Sequence, residues 1–450
     1  MNDRDVYDYA LEKEKECVEK NYISDKLFHE YGVNRGLRDE SGQGVLTGLT
    51  RISELNGFKS VHGKRVPIEG ELWYRGYRIS TLVDSLGKDE LGFEKVAYLL
   101  LFGKLPTPEQ LDEFFQKLGE SRRLPTNFVR DVIMKAPTHD IMNMMTRSIL
   151  TLASYDENIG DDSIANNIRQ AIELIAVFPM LAIYSYHADN HYNNMQSMYI
   201  HRPDPSLSTA ENFLCMLRPD SSYTQLEAKV LDTCLLLHMD HGGGNNSTFT
   251  TRVVTSTGSD TYSAIAAAMS SLKGPKHGGA NIRVMNMMDD IRSHVSNYED
   301  EEEVRTYLGK ILDRQAFDGK GLIYGMGHAV YSLSDPRAVI FRGFVEKLSQ
   351  EKGYEKEFAL YSLVERLAPE IIAKERKIYK GVSPNVDFFS GFVYHMLDLP
   401  LELYTPIFAI ARIAGWSAHR LEELSQNGKI MRPAYRNIGE RKEYVPIDKR

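Results

Sequence analysis

From Phe93 onward the apolar residues recur at helical spacing, and alternation of strand type is almost absent. A chain patterned this way must bury helix faces against other helices, which confines it to a mainly α architecture. The start signals agree. Thr107, Pro108, Glu109 and Gln110 spell a capping box with proline at the first helical position, and Ser208 to Glu211 and Thr224 to Glu227 spell two more. The third opens a helix whose Leu226, Val230, Cys234 and Leu237 share a face and which delivers His238 and His241 at its end. Only residues 45–80 invite strands, in glycine-bearing runs such as Val66 to Ile68 and Glu71 to Tyr74, while residues 5–40 read as a charged amphipathic helix and a polar connection. There is no internal repeat, low-complexity tract or sustained heptad.

Composition narrows function chiefly by exclusion. The 450 residues, 42% hydrophobic and 26% charged, suffice for a large core in two domains or lobes. The net charge of -8 is modest and the basic residues are scattered, so nucleic acid is not an expected partner. The amino terminus is charged from its second residue, and the longest apolar stretch, near Leu174 to Ile183, is broken by Pro179. The expectation is a cytoplasmic protein with no membrane partner. Cys17, Cys215 and Cys234 lie far apart without a CxxC pair, which predicts reduced, structural thiols rather than disulfides or a thiolate zinc site.

Four stretches could carry chemistry. In Gly274 to Asn281 (GPKHGGAN) a helix over Tyr262 to Leu272 ends, Gly274 stands where a left-handed cap is wanted, Pro275 blocks continuation and Asn281 can open the next helix. His277 is thereby either an aimed imidazole or part of a tight helix-to-helix turn, and taken alone the turn is favoured. In HMDHGGGN, His238 and His241 are three apart rather than the four a metalloprotease helix needs, so substrate contact or a hydrogen-bonded core histidine outweighs a metal. In GMGHAVY, glycines precede His328, and Asp335 with Pro336 begins a helix over Ala338 to Leu348 that puts Arg337 in its first turn, where a cation opposes the helix dipole unless an anion is present. In SPNVDFFSG, Asp387 lies in a capped first turn among Phe388, Phe389 and Phe392. It is either a dipole-favoured carboxylate or a desolvated, more basic one. Arg412, inside the apolar run IFAIARIAGW, requires an anion from protein or substrate.

Taken in order, HMDHGGGN, GPKHGGAN, GMGHAVY with DPRA, NVDFFSG, and RIAGWSAH with IMRP resemble the citrate synthase family, including its 2-methylcitrate synthases. YRGYRI and FEKVAYLLLFGKLPT extend the likeness over nearly all of the chain beyond about residue 45. The resemblance implies a mainly α, two-domain helical enzyme with a small β-containing N-terminal segment, its large domain at 1–278 and 399–450 and its small domain at 279–398. It implies condensation of acetyl-CoA with oxaloacetate and hydrolysis of the thioester, with propionyl-CoA as the alternative and a non-catalytic CoA-binding scaffold as the rival of another class. No cofactor or metal is implied, since acyl-CoA is a substrate. By motif match His277 donates to the thioester carbonyl, His328 polarises the ketone and Asp387 takes the proton beside the thioester. His241, Arg337 and Arg412 match oxaloacetate contacts, and Arg432 matches an arginine reaching across a homodimer. The backbone of Leu322, Gly325, Met326 and Gly327 is the expected cradle for CoA. Two departures stand out: Gly242 replaces a common glutamate, and Ala329 and Ser332 stand where many members carry a basic residue.

That residue set suits the reaction. A carbon acid beside a thioester is so weak that its base needs simultaneous charge stabilisation on the oxygen, which a neutral imidazole supplies without quenching the carboxylate. Arginines pair bidentately with dicarboxylates.

Overall fold

All three capping boxes form. Thr107 N–H donates to the Gln110 side chain at 3.2 Å and Gln110 N–H to Thr107 Oγ1 at 3.3 Å. The Ser208/Glu211 pair repeats this at 2.8 and 3.1 Å, and Thr224/Glu227 at 2.8 and 3.2 Å. The helices they open run Pro108–Ser121, Thr209–Leu217 and Gln225–His238. The computed structural model describes residues 3–39, 42–62, 64–87, 91–376, 381–426 and 428–450. Helix accounts for 59% of the chain.

The chain divides into a unit at Met1–Leu49 and a unit at Thr50–Arg450. The first holds the helices Asp3–Asn21 and Asp25–Glu30. In the second, a three-stranded antiparallel sheet comes first: β1 (Ser53–Val61), β2 (Lys64–Tyr74) and β3 (Tyr77–Arg78), in that order across the sheet. The β1–β2 register shifts between Asn56 and Phe58, a bulge centred on Gly57. Two long helices, Ile164–Asn193 and Tyr404–Ser425, pack together, with Ile141–Leu152, Asn246–Thr255, Thr261–Lys273, Gly92–Phe102 and Gln225–His238 around them. A further group, Ala280–His294, Glu301–Leu312, Pro336–Lys352, Glu355–Arg376 and Val386–Met396, packs among itself, and Pro336–Lys352 also touches β2.

Three local expectations are corrected. Pro179 does not break its segment; it lies inside the 30-residue helix Ile164–Asn193. An interior proline forfeits a hydrogen bond and costs about 3 kcal/mol. Here every side chain from Leu174 to Ile183 is buried, and burying an aliphatic chain is worth roughly 1.5–3 kcal/mol apiece, which outweighs it. This helix is long and apolar enough to cross a membrane, but 83% of its apolar window is inside the protein, so it is a core helix. Gly274 caps its helix with φ -57° and ψ 137°, not in the left-handed region, because the turn is closed further along by Gly278 N–H donating to Leu272 O at 2.9 Å. Asn281 does not cap the next helix, which begins at Ala280 behind Gly279.

Thr224→Ala removes the cap of the helix that carries His238. It should cost about 1 kcal/mol, read as a lower urea midpoint at unchanged slope; an unchanged midpoint would show that the cap does not hold this helix.

Candidate active site

The GPKHGGAN turn aims its histidine by packing rather than by a glycine cap. Gly278 is wedged against Leu272 O, and its own carbonyl accepts from Thr405 Oγ1 at 3.1 Å, which fixes the turn to the start of the Tyr404–Ser425 helix. His277 Nε2 lies 3.1 Å from Ser247 Oγ. That oxygen accepts the indole N–H of Trp416 at 3.2 Å and sits 3.0 Å from Asn245 Oδ1. Burial, with help from the Arg412 charge, pushes the His277 pKa down to about 4, so the ring is neutral at physiological pH.

Arg412 joins the separate motifs. It is fully buried in the Tyr404–Ser425 helix; its Nε donates to His238 O at 2.7 Å and its guanidinium lies over the Phe408 ring at 4.7 Å. Nη1 and Nη2 are buried and have no hydrogen-bond partner. Burial lowers its pKa to about 10, which leaves it a cation. Its field reaches His277, His241, His238 and Asp387. His238 stacks on Phe408 with neither ring nitrogen bonded, and His241 keeps an unpartnered buried Nε2. Both are held well below the ordinary histidine pKa, first by burial and then by Arg337 and other nearby positive charge.

Gly242, where a glutamate is common, has φ +85°, and a Cβ there would come within 2.7 Å of Leu55. Its N–H donates to Ser53 Oγ at 3.1 Å and to Asp240 Oδ2 at 3.0 Å, so β1 supplies the local network. Asp240 is gripped further by Tyr74, whose hydroxyl meets its backbone O at 2.9 Å and N–H at 3.2 Å. His419 Nδ1 accepts from Arg252, which leaves the His419 Nε2–H to donate to Asp240 Oδ1 at 3.1 Å.

The loop that leads to His328 is bonded to the loop that leads to Asp387. Gly327 N–H donates to Ser383 O at 2.8 Å, Asn385 N–H to Gly325 O at 2.9 Å and Asn385 Nδ2 to Gly327 O at 2.9 Å. His328 Nδ1 accepts from the N–H groups of Val330 (3.0 Å) and Tyr331 (3.3 Å), so the neutral ring carries its proton on Nε2. The His328 and His241 rings are 5.0 Å apart. Asp335 caps the Pro336–Lys352 helix, pairs with Arg337 at 2.8 Å and accepts Val386 N–H at 3.2 Å, so one carboxylate joins two helix starts. The anion that Arg337 required is therefore, at least in part, Asp335. Asn385 caps the Val386–Met396 helix, in whose first turn Asp387 sits. Burial raises the Asp387 pKa to about 6, against the lowering pull of Arg337 and Arg412.

The Arg412 charge thus acts on His277, His241 and Asp387, that of Arg337 on His241 and Asp387, and the His328 ring stands beside that of His241. Arg432 is not brought to these residues: it is exposed, in the irregular segment that follows the last long helix. Of the CoA-cradle residues, Gly325, Met326 and Gly327 form the strip paired with 383–385, while Leu322 is 39% exposed outside it. Among the described residues no group of three or more histidines, cysteines or carboxylates could hold a metal. Ser247 and Tyr331 were not singled out from sequence. The only signal for Ser247 was its place just after the HMDHGGGN glycines, and for Tyr331 its place three residues after His328.

The fold is that of a helical acyltransferase. Residues 40–434 match the family described as citrate synthase, C-terminal domain. The citrate synthase of Synechocystis sp. is 37% identical over 90% of this chain and 92% of its own length. That of Haloferax volcanii is 35% identical over 93% and 99%. A 2-methylcitrate synthase of Corynebacterium glutamicum is 31% identical over 90% and 96%. Among solved structures, the Thermoplasma acidophilum citrate synthase in ternary complex with carboxymethyl coenzyme A and oxaloacetate has a TM-score of 0.74 at 30% identity, covering 90% of this chain and 97% of that one. The Pyrobaculum aerophilum citrate synthase also scores 0.74, at 30% identity over 91% and 95%. The chain belongs to the citrate synthase family, whose members condense an acyl-CoA with oxaloacetate.

Arg412→Leu removes two uncommitted donors, each charge-assisted bond being worth roughly 1.5–3 kcal/mol. Oxaloacetate binding should weaken on the order of 100-fold or more, while the ligand-free protein melts no lower than the parent, because an unpaired buried cation is costly. Unchanged oxaloacetate affinity in calorimetry would remove Arg412 from the site.

Proposed function

We propose that the chain is a citrate synthase proper, condensing acetyl-CoA with oxaloacetate and water to give citrate and free CoA. The observation that carries this is the buried Arg412 guanidinium with two unpaired donors among neutral histidines and one raised carboxyl. It supports a site for a small dicarboxylate whose neighbours move protons rather than bind metal.

Each residue then has a role that its environment favours. Arg412 and Arg337, with His241, hold the carboxylates of oxaloacetate. His328, as an Nε2–H donor, polarises the ketone. Asp387 takes a proton from the methyl carbon of the thioester, and its raised pKa makes it a better base than an ordinary carboxylate while it stays ionised at neutral pH. His277 donates to the thioester oxygen as the enol forms. The nucleophilic carbon forms its bond to the ketone carbon of oxaloacetate, whose oxygen takes a proton from His328, and water then cleaves the thioester to release CoA. The strip from Leu322 to Gly327 receives CoA. The helix group within 279–398 closes on the large domain, formed by the rest of the chain, and excludes water during condensation. Arg432 joins the site from the second subunit of a homodimer, which works in the cytoplasm.

The decisive assay is thiol release with oxaloacetate and either acetyl-CoA or propionyl-CoA. One methylene in an apolar pocket is worth about 1–3 kcal/mol, so a preference for acetyl-CoA of at least several-fold is expected. A reversed preference would identify a 2-methylcitrate synthase, the alternative that the 31% identical relative keeps in view. No thiol release with either substrate would refute the catalytic reading.

The pH profile tests the base. An acid with a raised pKa loses its proton only above that value, so kcat should fall as pH drops through about 6, while His277, titrating near 4, stays neutral throughout. Asp387→Asn should remove that limb with about 10²–10⁴ of the rate. Since the folded state favours the protonated acid, ionisation of Asp387 opposes folding above the unfolded pKa. The variant should therefore melt no lower than the parent at neutral pH. An acid limb that persists near pH 6 in residual activity would assign it to another group.

A further inference from the structure

The loop that carries His328 is held from outside by the sheet. Tyr331 hydroxyl donates to Glu71 O of β2 at 3.3 Å, Gly70 N–H donates to Ser334 Oγ at 3.2 Å, and the Ser334 hydroxyl bonds the Glu69 carboxylate. Gly57, at the bulge of β1, and Gly70, in β2, are both buried. A Cβ on Gly57 would overlap the Val330 carbonyl oxygen, and one on Gly70 the Ser334 carbonyl oxygen. The sheet's main chain therefore rests directly on the main chain of 330–334, with no side chain between them. Bulges that twist a strand edge toward a neighbouring loop are a recognised way to re-aim nearby groups.

The residues gripped in this way are the ones that orient the imidazole. Tyr331 stacks on His328 with ring centroids 4.7 Å apart and stands 5.7 Å from His241. Its N–H and that of Val330 are the two donors to His328 Nδ1. On its other side, the loop is reached through Gly327 at φ +84°, a residue that by itself restrains little.

We propose that the β1–β2 hairpin is a latch that pre-organises the His328 loop, and that Tyr331 is the positioning residue through which its grip reaches the imidazole. Ordering a loop residue costs about 1–2 kcal/mol of backbone entropy; without the latch that cost would fall on substrate binding. The consequence for kinetics rests on the reading that His328 meets the keto acid, but the hold on the loop does not.

The test uses the full chain without ligand and two variants. Tyr331→Phe keeps the ring and deletes the hydroxyl anchor, while Gly70→Ala pushes the hairpin off Ser334. Hydrogen–deuterium exchange of the amides in 328–334 should quicken in both. The oxaloacetate KM should rise about fivefold or more, the equivalent of roughly 1 kcal/mol for one lost bond, with the acyl-CoA KM little changed. Unchanged exchange in both variants overturns the latch. Faster exchange with wild-type kinetics upholds the latch and removes His328 from oxaloacetate recognition, which is the separate failure of the functional reading. A fall in kcat that tracks a lower melting temperature, with both KM values unmoved, makes Tyr331 merely structural and overturns its positioning role. Should Gly70→Ala not fold, Tyr331→Phe decides alone.

Discussion

The site depends on one buried cation. Arg412 sits in the middle of the Tyr404–Ser425 helix, which runs through the core beside Ile164–Asn193, and the protein gives its guanidinium a single hydrogen bond, to His238 O. An interior guanidinium with two empty donors is expensive, so the fold must hold it there by other means. It does so with the Phe408 ring, the Asp240 carboxylate nearby and the rigidity of a helix whose sides are buried from Tyr404 to Leu421. Its charge acts on His238, His241, His277 and Asp387.

Asp335 is the second fixed point, and it works mechanically more than electrostatically. It is buried yet ionised because it accepts from Arg337 twice through the side chain and once through the backbone, and again from Val386 N–H. Burial alone would raise its pKa; these bonds and the Arg337 charge hold it below the ordinary value. The starts of the Pro336–Lys352 and Val386–Met396 helices are therefore tied to one carboxylate, so the arginine on one helix and Asp387 on the other cannot drift apart. A charge that looks unfavourable for a helix N-terminus when Arg337 is considered alone is neutralised two residues earlier in the same helix.

What the sequence disclosed divides along a physical line. Features decided within about four residues were legible: the capping boxes at Thr107, Ser208 and Thr224, the Asp335–Pro336 start, and the helical periodicity that rules out an extended fold. Features decided by packing over long separations were not. Pro179 passes for a breaker until the burial around it is known, and Gly274 passes for a left-handed cap until Gly278 is seen to close the turn on Leu272. Ser247, bonded to residues 30 and 169 positions away, and the His419–Asp240 contact, 179 positions apart, have no local signature at all. The ordered motifs picked out His277, His328 and Asp387 as candidates, but the protonation state of each comes from the structure. Nδ1 of His328 is occupied by two backbone donors, and Asp387 is desolvated by burial.

Those protonation states explain why the site uses imidazoles beside guanidiniums. With Arg412 and Arg337 both charged and buried, a third positive charge nearby would be strongly disfavoured, and His238, His241 and His277 are all pushed toward the neutral form. A neutral imidazole still offers one N–H donor, and it withdraws no electron density by pairing with a carboxylate. On the proposed reading a division of labour follows: permanent charge on the arginines would meet permanent charge on a ligand, while neutral rings would serve oxygens that become negative only during the reaction. Protonating the histidines would strengthen each of them as a donor but would also lower the basicity of Asp387 through space, trading the base for the acid. Keeping the rings neutral by burial and by proximity to Arg412 avoids that conflict, and it does so with the same cation that the carboxylates of a ligand would need.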